Sequence, residues 1–265
     1  MTKTDNRVHA FHDRDFLDSR DARGLRILSE YLEPLARFRK HRIDDTIVFM
    51  GSARTPSPER LAEMEEGADP AMAAQAREMS VYYQAARELA RRLTEWSMGL
   101  DDPERRFVVC TGGGPGIMEA ANRGAAEAGG PNVGLTISIP LDEFDNPYIT
   151  PDLHFYFHYF FMRKFWFTYL AKAVVIFPGG FGTMDELFEI LTLLQTRKVT
   201  KRLPVVLFGT QFWNEVVNFD ALLRHGTISA ADLDLVHRTN SVDDAYAYIT
   251  HQLTADGLEA PGAVL

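Results

Sequence analysis

Hydrophobic positions fall into two patterns along this chain. In residues 24–40, Leu25, Leu28, Leu32, Leu35 and Phe38 recur every three or four positions, which predicts an amphipathic helix lying on the body of the protein. Residues 1–20 are polar and mixed in charge and are expected to form a partly ordered arm, so residues 1–45 are set apart as an arm and a peripheral helix. From residue 46 onward, apolar runs of strand length alternate with helix-periodic stretches. The runs are 46–50, 107–110, 133–139, 153–157, 173–177, 203–208 and a weak one at 235–237. The helical stretches are 71–96, with Met79, Tyr82, Tyr83, Ala86, Leu89, Ala90 and Leu93 on one side, then 117–128, 159–171, 184–196, 212–223 and 242–253. The Pro-rich, acidic segment 56–70 reads as a loop. Repeated strand, Gly-rich turn and helix predict an α/β fold, a mainly parallel sheet with helices on both faces. Unbroken apolar runs such as Val174-Val175-Ile176-Phe177 and Val205-Val206-Leu207-Phe208 suit strands covered on both sides. No linker or repeat interrupts residues 46–265, which are expected to form one domain.

Composition narrows the function classes. Apolar residues at 46% and charged residues at 25% argue against a disordered or fibrous chain. The single cysteine, Cys110, excludes an internal disulfide framework and a Cys-cluster metal site. A net charge of −9 weighs against nucleic acid as partner. No apolar run reaches the roughly 18 to 20 residues of a membrane helix, and residues 1–20 lack the apolar core of a signal peptide. The expectation is a soluble, cytoplasmic protein with no membrane partner.

Two glycine loops carry the candidate chemistry. Gly112-Gly113-Gly114-Pro115-Gly116 leaves one strand and opens a helix. Such a loop lets the backbone approach a ligand, and the free N–H groups at the helix start favour phosphate. Its spacing is not that of the dinucleotide fingerprint, no acidic residue closes the next strand at Ser138-Ile139-Pro140, and no Gly-Lys-Ser/Thr follows, so redox-cofactor and triphosphate readings weaken. The second loop is Pro178-Gly179-Gly180-Phe181-Gly182-Thr183, followed by Met184-Asp185-Glu186. In a parallel sheet both loops lie at the carboxyl edge, and together they point to one anionic ligand. Thr183 adds a hydroxyl at the expected helix start, where plain N-capping is the simpler role. Glu186 is expected in the first helical turn, where a dipole-favoured surface glutamate is the commoner case. Arg163-Lys164 stand on an otherwise apolar helix and must reach solvent, a carboxylate or an anion. His154 and His158 have a spacing that could hold a metal, but ordinary packing is the better reading; no metal site and no cofactor are expected.

The stretch from Pro178 to Glu186 matches P-G-G-x-G-T-x-x-E, the signature of the LOG ("Lonely Guy") family, whose members were long labelled lysine decarboxylases. Gly112 to Met118 with Glu119-Ala120-Ala121-Asn122 resembles the family's other glycine loop, and Gly51-Ser52-Ala53-Arg54 its opening turn. The resemblance spans roughly residues 45 to 255. It implies a Rossmann-like, nucleotide-binding fold and hydrolysis of the N-glycosidic bond of nucleoside 5′-monophosphates, AMP and cytokinin nucleotides being the known class. It places the essential arginine at Arg163 and the essential glutamate at Glu186. Substrate binding would fall to Gly51, Ser52, Gly113, Gly114, Gly116, Met162, Lys164, Pro178, Gly179, Gly180, Gly182 and Thr183. Family members are dimers or assemblies of dimers. The plant M-H-x-R-K segment is here Phe160-Phe161-Met162-Arg163-Lys164, without the histidine, and the pattern resembles longer bacterial members.

In this reading Glu186 stabilises the cationic sugar or orients a water, while the 5′-phosphate anchors on Gly114, Gly116, Gly180, Gly182 and Thr183. A homodimer is expected, buried in part through the aromatics from Tyr156 to Tyr169, a deep core helix being the alternative. Relatives of this fold also bind molybdenum cofactor, so a non-catalytic carrier of a phosphorylated ligand is the competing class. A pyridoxal-phosphate decarboxylase is set aside, because nothing marks a Schiff-base lysine.

Overall fold

The structure is a computed structural model, and it describes residues 8–66, 69–100, 106–139 and 145–257. Residues 1–7 of the expected arm, residues 67 and 68 of the expected 56–70 loop, and Pro140 lie outside the described residues.

Seven strands form one sheet: β1 (Thr46–Met50), β2 (Val108–Thr111), β3 (Asn132–Ile137), β4 (His154–Phe157), β5 (Ala171–Ile176), β6 (Val205–Phe208) and β7 (Val236–Thr239). Every pairing is parallel, in the order β4-β3-β2-β1-β5-β6-β7. The helices are α1 (Arg14–Asp18), α2 (Arg23–Lys40), α3 (Pro58–Glu65), α4 (Pro70–Met98), α5 (Ile117–Glu127), α6 (Phe160–Tyr169), α7 (Phe181–Gln195), α8 (Thr210–Val216), α9 (Phe219–Arg224) and α10 (Val242–Gln252). Side chains alternate across a strand, so each central strand feeds two cores. Val48, Met50, Cys110, Val174, Ile176, Val205 and Leu207 meet α2, α6, α7, α8 and α9 on one face. Ile47, Phe49, Val109, Ala173, Val175, Val206 and Phe208 meet α4, α5 and α10 on the other. The strand order reverses between β1 and β5, and the crevice of such a sheet opens there, beyond the carboxyl ends of the strands.

Three expectations are corrected. Residues 58–65 are helical, not loop. Ser57 accepts a hydrogen bond from the Arg60 N–H at 3.2 Å, Pro58 occupies the first turn and Glu59 favours the helix dipole, a complete start signal inside a segment read as Pro-rich. The helix expected over 212–223 is two: Val217 is extended, and the Asn218 side chain caps α9 by accepting from the Ala221 N–H at 2.8 Å. On α2 the face against the body is Ile27, Tyr31, Leu35 and Phe38, whereas Leu25, Leu28 and Leu32 are each about half exposed. Tyr31 stacks on the buried Trp166, and the Trp166 indole N–H donates to the Glu30 carbonyl at 2.9 Å. The aromatic rings and the indole's need for an acceptor orient the helix more strongly than the leucine spacing does.

The amino edge of the sheet holds a buried ionic cluster. Asp45 precedes β1 and is fully buried; it pairs with Arg106, which leads into β2, and with Lys172 of β5 at 3.6 Å. Beside it, Lys201 donates to the carbonyls of Thr168 and Tyr169 at 2.7 and 2.9 Å and so closes the end of α6.

Candidate active site

The turns after β1, β2 and β5 are stitched to one another at the carboxyl edge. The Ser52 N–H donates to the Pro178 carbonyl at 3.0 Å, and the Ile117 N–H to the Ser52 carbonyl at 3.1 Å. Gly116 makes this contact possible: its φ is +71°, and a Cβ there would stand 2.3 Å from the Ser52 carbonyl oxygen. Gly113 is equally constrained, with φ +72° and Thr136 Oγ1 where a Cβ would lie. Gly51 packs on Ile117 in the same way. The glycines at these positions let the ends of the strands and the turns after them pack closely on one another.

A cleft of about 660 Å³ opens beside them, within the range of small-molecule sites. Gly112 to Gly116, Met118 and Glu119 form one wall. Ala53 to Ser57 with Arg60 and Met64 of α3 form another, and Thr136, Ile137, Ile139 and Arg163 complete it. Glu119 is held by the hydroxyl of the buried Tyr83, which donates to it at 2.8 Å. The sequence gives Glu119 no role beyond its place after the first glycine loop, and it gives Arg60 and Met64 none. The first looks like an ordinary helix-start glutamate, and the other two lie in the segment read as loop.

Arg163 and Glu186 meet. Arg163 Nη2 donates to Glu186 Oε1 at 3.1 Å, and their side chains are only 12% and 14% exposed. The guanidinium lies against the rings of Phe160 and Phe167, and its Nε is buried without a hydrogen-bond partner. Burial pushes the Glu186 carboxyl up to about 7, against the pull of Arg163 in the other direction. The pair therefore holds a carboxylate that is close to its titration point near neutrality, the condition for a general base or an electrostatic stabiliser. Glu186 falls in the second turn of α7, not the first as expected, because the helix begins at Phe181 immediately after the extended Gly180. Its helix-dipole explanation loses force accordingly.

The other sequence candidates divide. Gly113, Gly114 and Gly116 line the cleft. Ser52 sits at the stitched turn, its Oγ accepting from the Arg54 N–H at 3.0 Å. Lys164 bridges to Asp185 at 2.7 Å and Glu189 at 3.1 Å, tying α6 to α7. Met162 is buried in the core and faces the dent between α2 and α6, apart from the cleft. The second loop is not among the residues lining the cleft, so the expectation that both loops face one cavity is corrected: Pro178 is buried, and Thr183 folds back so that its Oγ1 occupies the space a Gly179 Cβ would take. Gly180 and Gly182 are open, with nothing within 4 Å of a Cβ position, at the uncapped start of α7. His154 is engaged by the hydroxyls of Thr136 and Tyr156, at 2.8 and 3.2 Å. Among the described residues no three His, Cys, Asp or Glu side chains gather as a metal site, and no helix is long and apolar enough to cross a membrane.

A family model described as possible lysine decarboxylase matches residues 118–249, a span that includes the Pro178–Glu186 signature, Arg163 and Glu186. The chain belongs to the LOG family. A pyrimidine/purine nucleotide 5′-monophosphate nucleosidase of Escherichia coli K12 is 34% identical over 119 residues, which cover 40% of the LOG-family chain and 25% of that relative. The matched stretch thus spans about a quarter of the curated relative. Among solved structures, a structural-genomics target is similar at 23% identity and a TM-score of 0.49, covering 78% of this chain and 99% of the target. The molybdenum cofactor binding protein of Rippkaea orientalis is similar at 18% identity and a TM-score of 0.48, covering 78% and 96%.

Proposed function

We propose that this LOG-family chain hydrolyses the N-glycosidic bond of a nucleoside 5′-monophosphate, releasing free base and ribose 5-phosphate. The observation that carries the reading is the buried Arg163–Glu186 contact at the carboxyl edge of the sheet, beside two glycine turns suited to phosphate. In the reaction a water oxygen bonds to C1′ as the C1′–N bond breaks, and the departing base leaves with a proton. Positive charge builds on the sugar as the bond stretches. Glu186 opposes that charge and accepts a proton from the attacking water. Arg163 orients the carboxylate. The 5′-phosphate docks on the Gly180, Gly182 and Thr183 end of α7, where free N–H groups and the helix dipole favour an anion. The base enters the cleft, where Met64, Met118, Ile137 and Ile139 supply apolar surface. AMP and cytokinin nucleotides are the substrates to try first. The chemistry requires no metal.

The test is a direct comparison of AMP with adenosine. A phosphate anchored away from the reacting bond supplies the binding energy that orients the sugar, so AMP is expected to be turned over far faster. Equal turnover of the two contradicts the proposal, and binding of AMP without release of adenine makes the protein a carrier instead. We also propose a homodimer. The core absorbs six of the nine aromatics that suggested it: Phe157, Trp166 and Phe167 are buried, and Tyr159, Phe165 and Tyr169 pack against it partly buried. What supports a contact is the exposed remainder: Phe160 and Phe161 of α6, and Leu25, Leu28 and Leu32 of α2. Light scattering at micromolar concentration is expected to give twice the chain mass, and a monomer mass overturns the assignment.

A further inference from the structure

The wall of the cleft between β1 and α3 has a property that monophosphate binding leaves unused. Arg54 and Arg60 both line the cleft. Among the described residues neither guanidinium has a hydrogen-bond or ion-pair partner. This sets them apart from the arginines nearby: Arg123 is held by Glu59, Arg87 by Glu127 and Arg77 by Glu65. Both line the same cavity, on a chain whose acidic residues outnumber its basic ones, 37 to 28. A third observation is independent of charge. Thr55 lies between them in sequence, also lines the cleft and is 2% exposed, and its Oγ1 is buried without a hydrogen-bond partner. A buried hydroxyl left unpaired is costly, and native structures leave few.

The segment also stands close to the first glycine loop. The Ser52 and Ala53 backbone packs directly on Gly116, within 3.0 Å of where a Cβ would lie. α3 is fixed against α5 by the two-pronged Glu59–Arg123 pair at 3.0 and 3.2 Å, which holds Arg60 over the cavity. Arg54 and Arg60 thus have a fixed backbone, free charged ends and an adjoining loop rich in N–H groups.

We infer that Arg54, Thr55 and Arg60 form a second anion subsite, and that the ligand of this cleft is a nucleotide carrying a second phosphoryl group besides its 5′-phosphate. The inference rests on the nucleotide reading of the site above and adds to it the charge of the substrate class. Guanidinium groups bind phosphoryl oxygens with paired, charge-assisted hydrogen bonds. The Thr55 hydroxyl is shut off from solvent in this state, and a small shift of the 54–57 segment on binding gives it a phosphoryl oxygen as partner. The second group can extend the 5′-phosphate or stand on the ribose 3′-oxygen; the shared chemistry is the added phosphoryl dianion.

Calorimetric titration of the full chain with AMP, ADP and adenosine 3′,5′-bisphosphate tests this and separates the two positions. At least one doubly phosphorylated probe is expected to bind ten-fold or more tightly than AMP, with a steeper loss of affinity in salt. In the Arg54→Gln/Arg60→Gln protein that advantage is expected to fall to two-fold or less, while Arg54→Lys/Arg60→Lys keeps part of it. An advantage that survives the glutamine substitutions overturns the inference, as does equal affinity for all three probes in the unsubstituted protein. Adenine release from AMP, assayed on the same unsubstituted protein, tests the underlying reading separately. Release without discrimination between probes defeats the second subsite alone, whereas absence of both binding and release defeats both.

Discussion

The two edges of the sheet use the same kinds of charged residue in opposite ways. At the amino edge Asp45 is fully buried and meets both Arg106 and Lys172. At the carboxyl edge Glu186 meets one guanidinium through one hydrogen bond, Arg163 Nε has no partner, and burial raises the carboxyl to about 7. A buried carboxylate paired with two cations is held in place by them, which suits a structural role. One with a single, incompletely satisfied cation can exchange a proton or respond to a cationic sugar. The lesson is that in this chain the degree of satisfaction, more than burial or charge, separates a structural ion cluster from a candidate catalytic one.

That contrast can be broken by substitution. The largest effect is expected from Asp45→Ala, which removes the buried carboxylate that Arg106 and Lys172 share. Removing one partner of a buried ionic group costs about 3–5 kcal/mol, and chemical denaturation is expected to report a loss of that order. A change within experimental error would remove the structural role from the amino edge. Next is Glu186→Gln, which keeps size and hydrogen-bonding reach but not charge. It is expected to lower kcat by on the order of 10²-fold or more, with the fold retained. Asp185→Asn is the paired control, because Asp185 is bound to Lys164 and exposed, and it should cost much less. Equal losses in the two proteins would reduce Glu186 to a buried structural partner of Arg163.

The proton balance at Glu186 sharpens the comparison further. Burial raises its carboxyl to about 7, and the reaction needs the ionised form. Turnover is therefore expected to be full above that value and to fall about ten-fold per unit as pH drops below it. A profile flat down to the ordinary carboxylate range would show that the carboxyl is not perturbed or not used. The smallest effect is expected from Lys164→Met. Its bridges to Asp185 and Glu189 have half-exposed acceptors, and such pairs contribute about 1 kcal/mol or less, so thermal unfolding should shift by no more than a few degrees.

Most of the fold could be read from the sequence because parallel strands buried on both faces leave unbroken apolar runs. All seven strands lie where such runs occur, with ends shifted by a few residues. The first glycine loop was legible as a strand-to-helix turn, and it lines the cleft; that its glycines also answer to contacts between strand ends is a tertiary fact. The carboxylate–guanidinium contact was suggested only through the family signature, since nothing local in Phe161-Met162-Arg163-Lys164 says which residue of α7 it will meet. Two things were not legible. The helix α3 was hidden by its prolines, although Ser57-Pro58-Glu59 is a start signal, and with it went Arg60 and Met64 of the cleft wall. The leucines of α2 followed a helical spacing but not the buried face, because the position of Trp166 is a tertiary fact.

If the Arg163–Glu186 edge serves hydrolysis of a nucleoside 5′-monophosphate, base and sugar phosphate leave together. Quantifying ribose 5-phosphate released from a panel of purine and pyrimidine nucleoside monophosphates tests it most directly. Stoichiometric release of free base and ribose 5-phosphate from at least one member, abolished in the Glu186→Gln protein, is the predicted result. No release from any member by protein that binds them, or release undiminished by Glu186→Gln, contradicts the account.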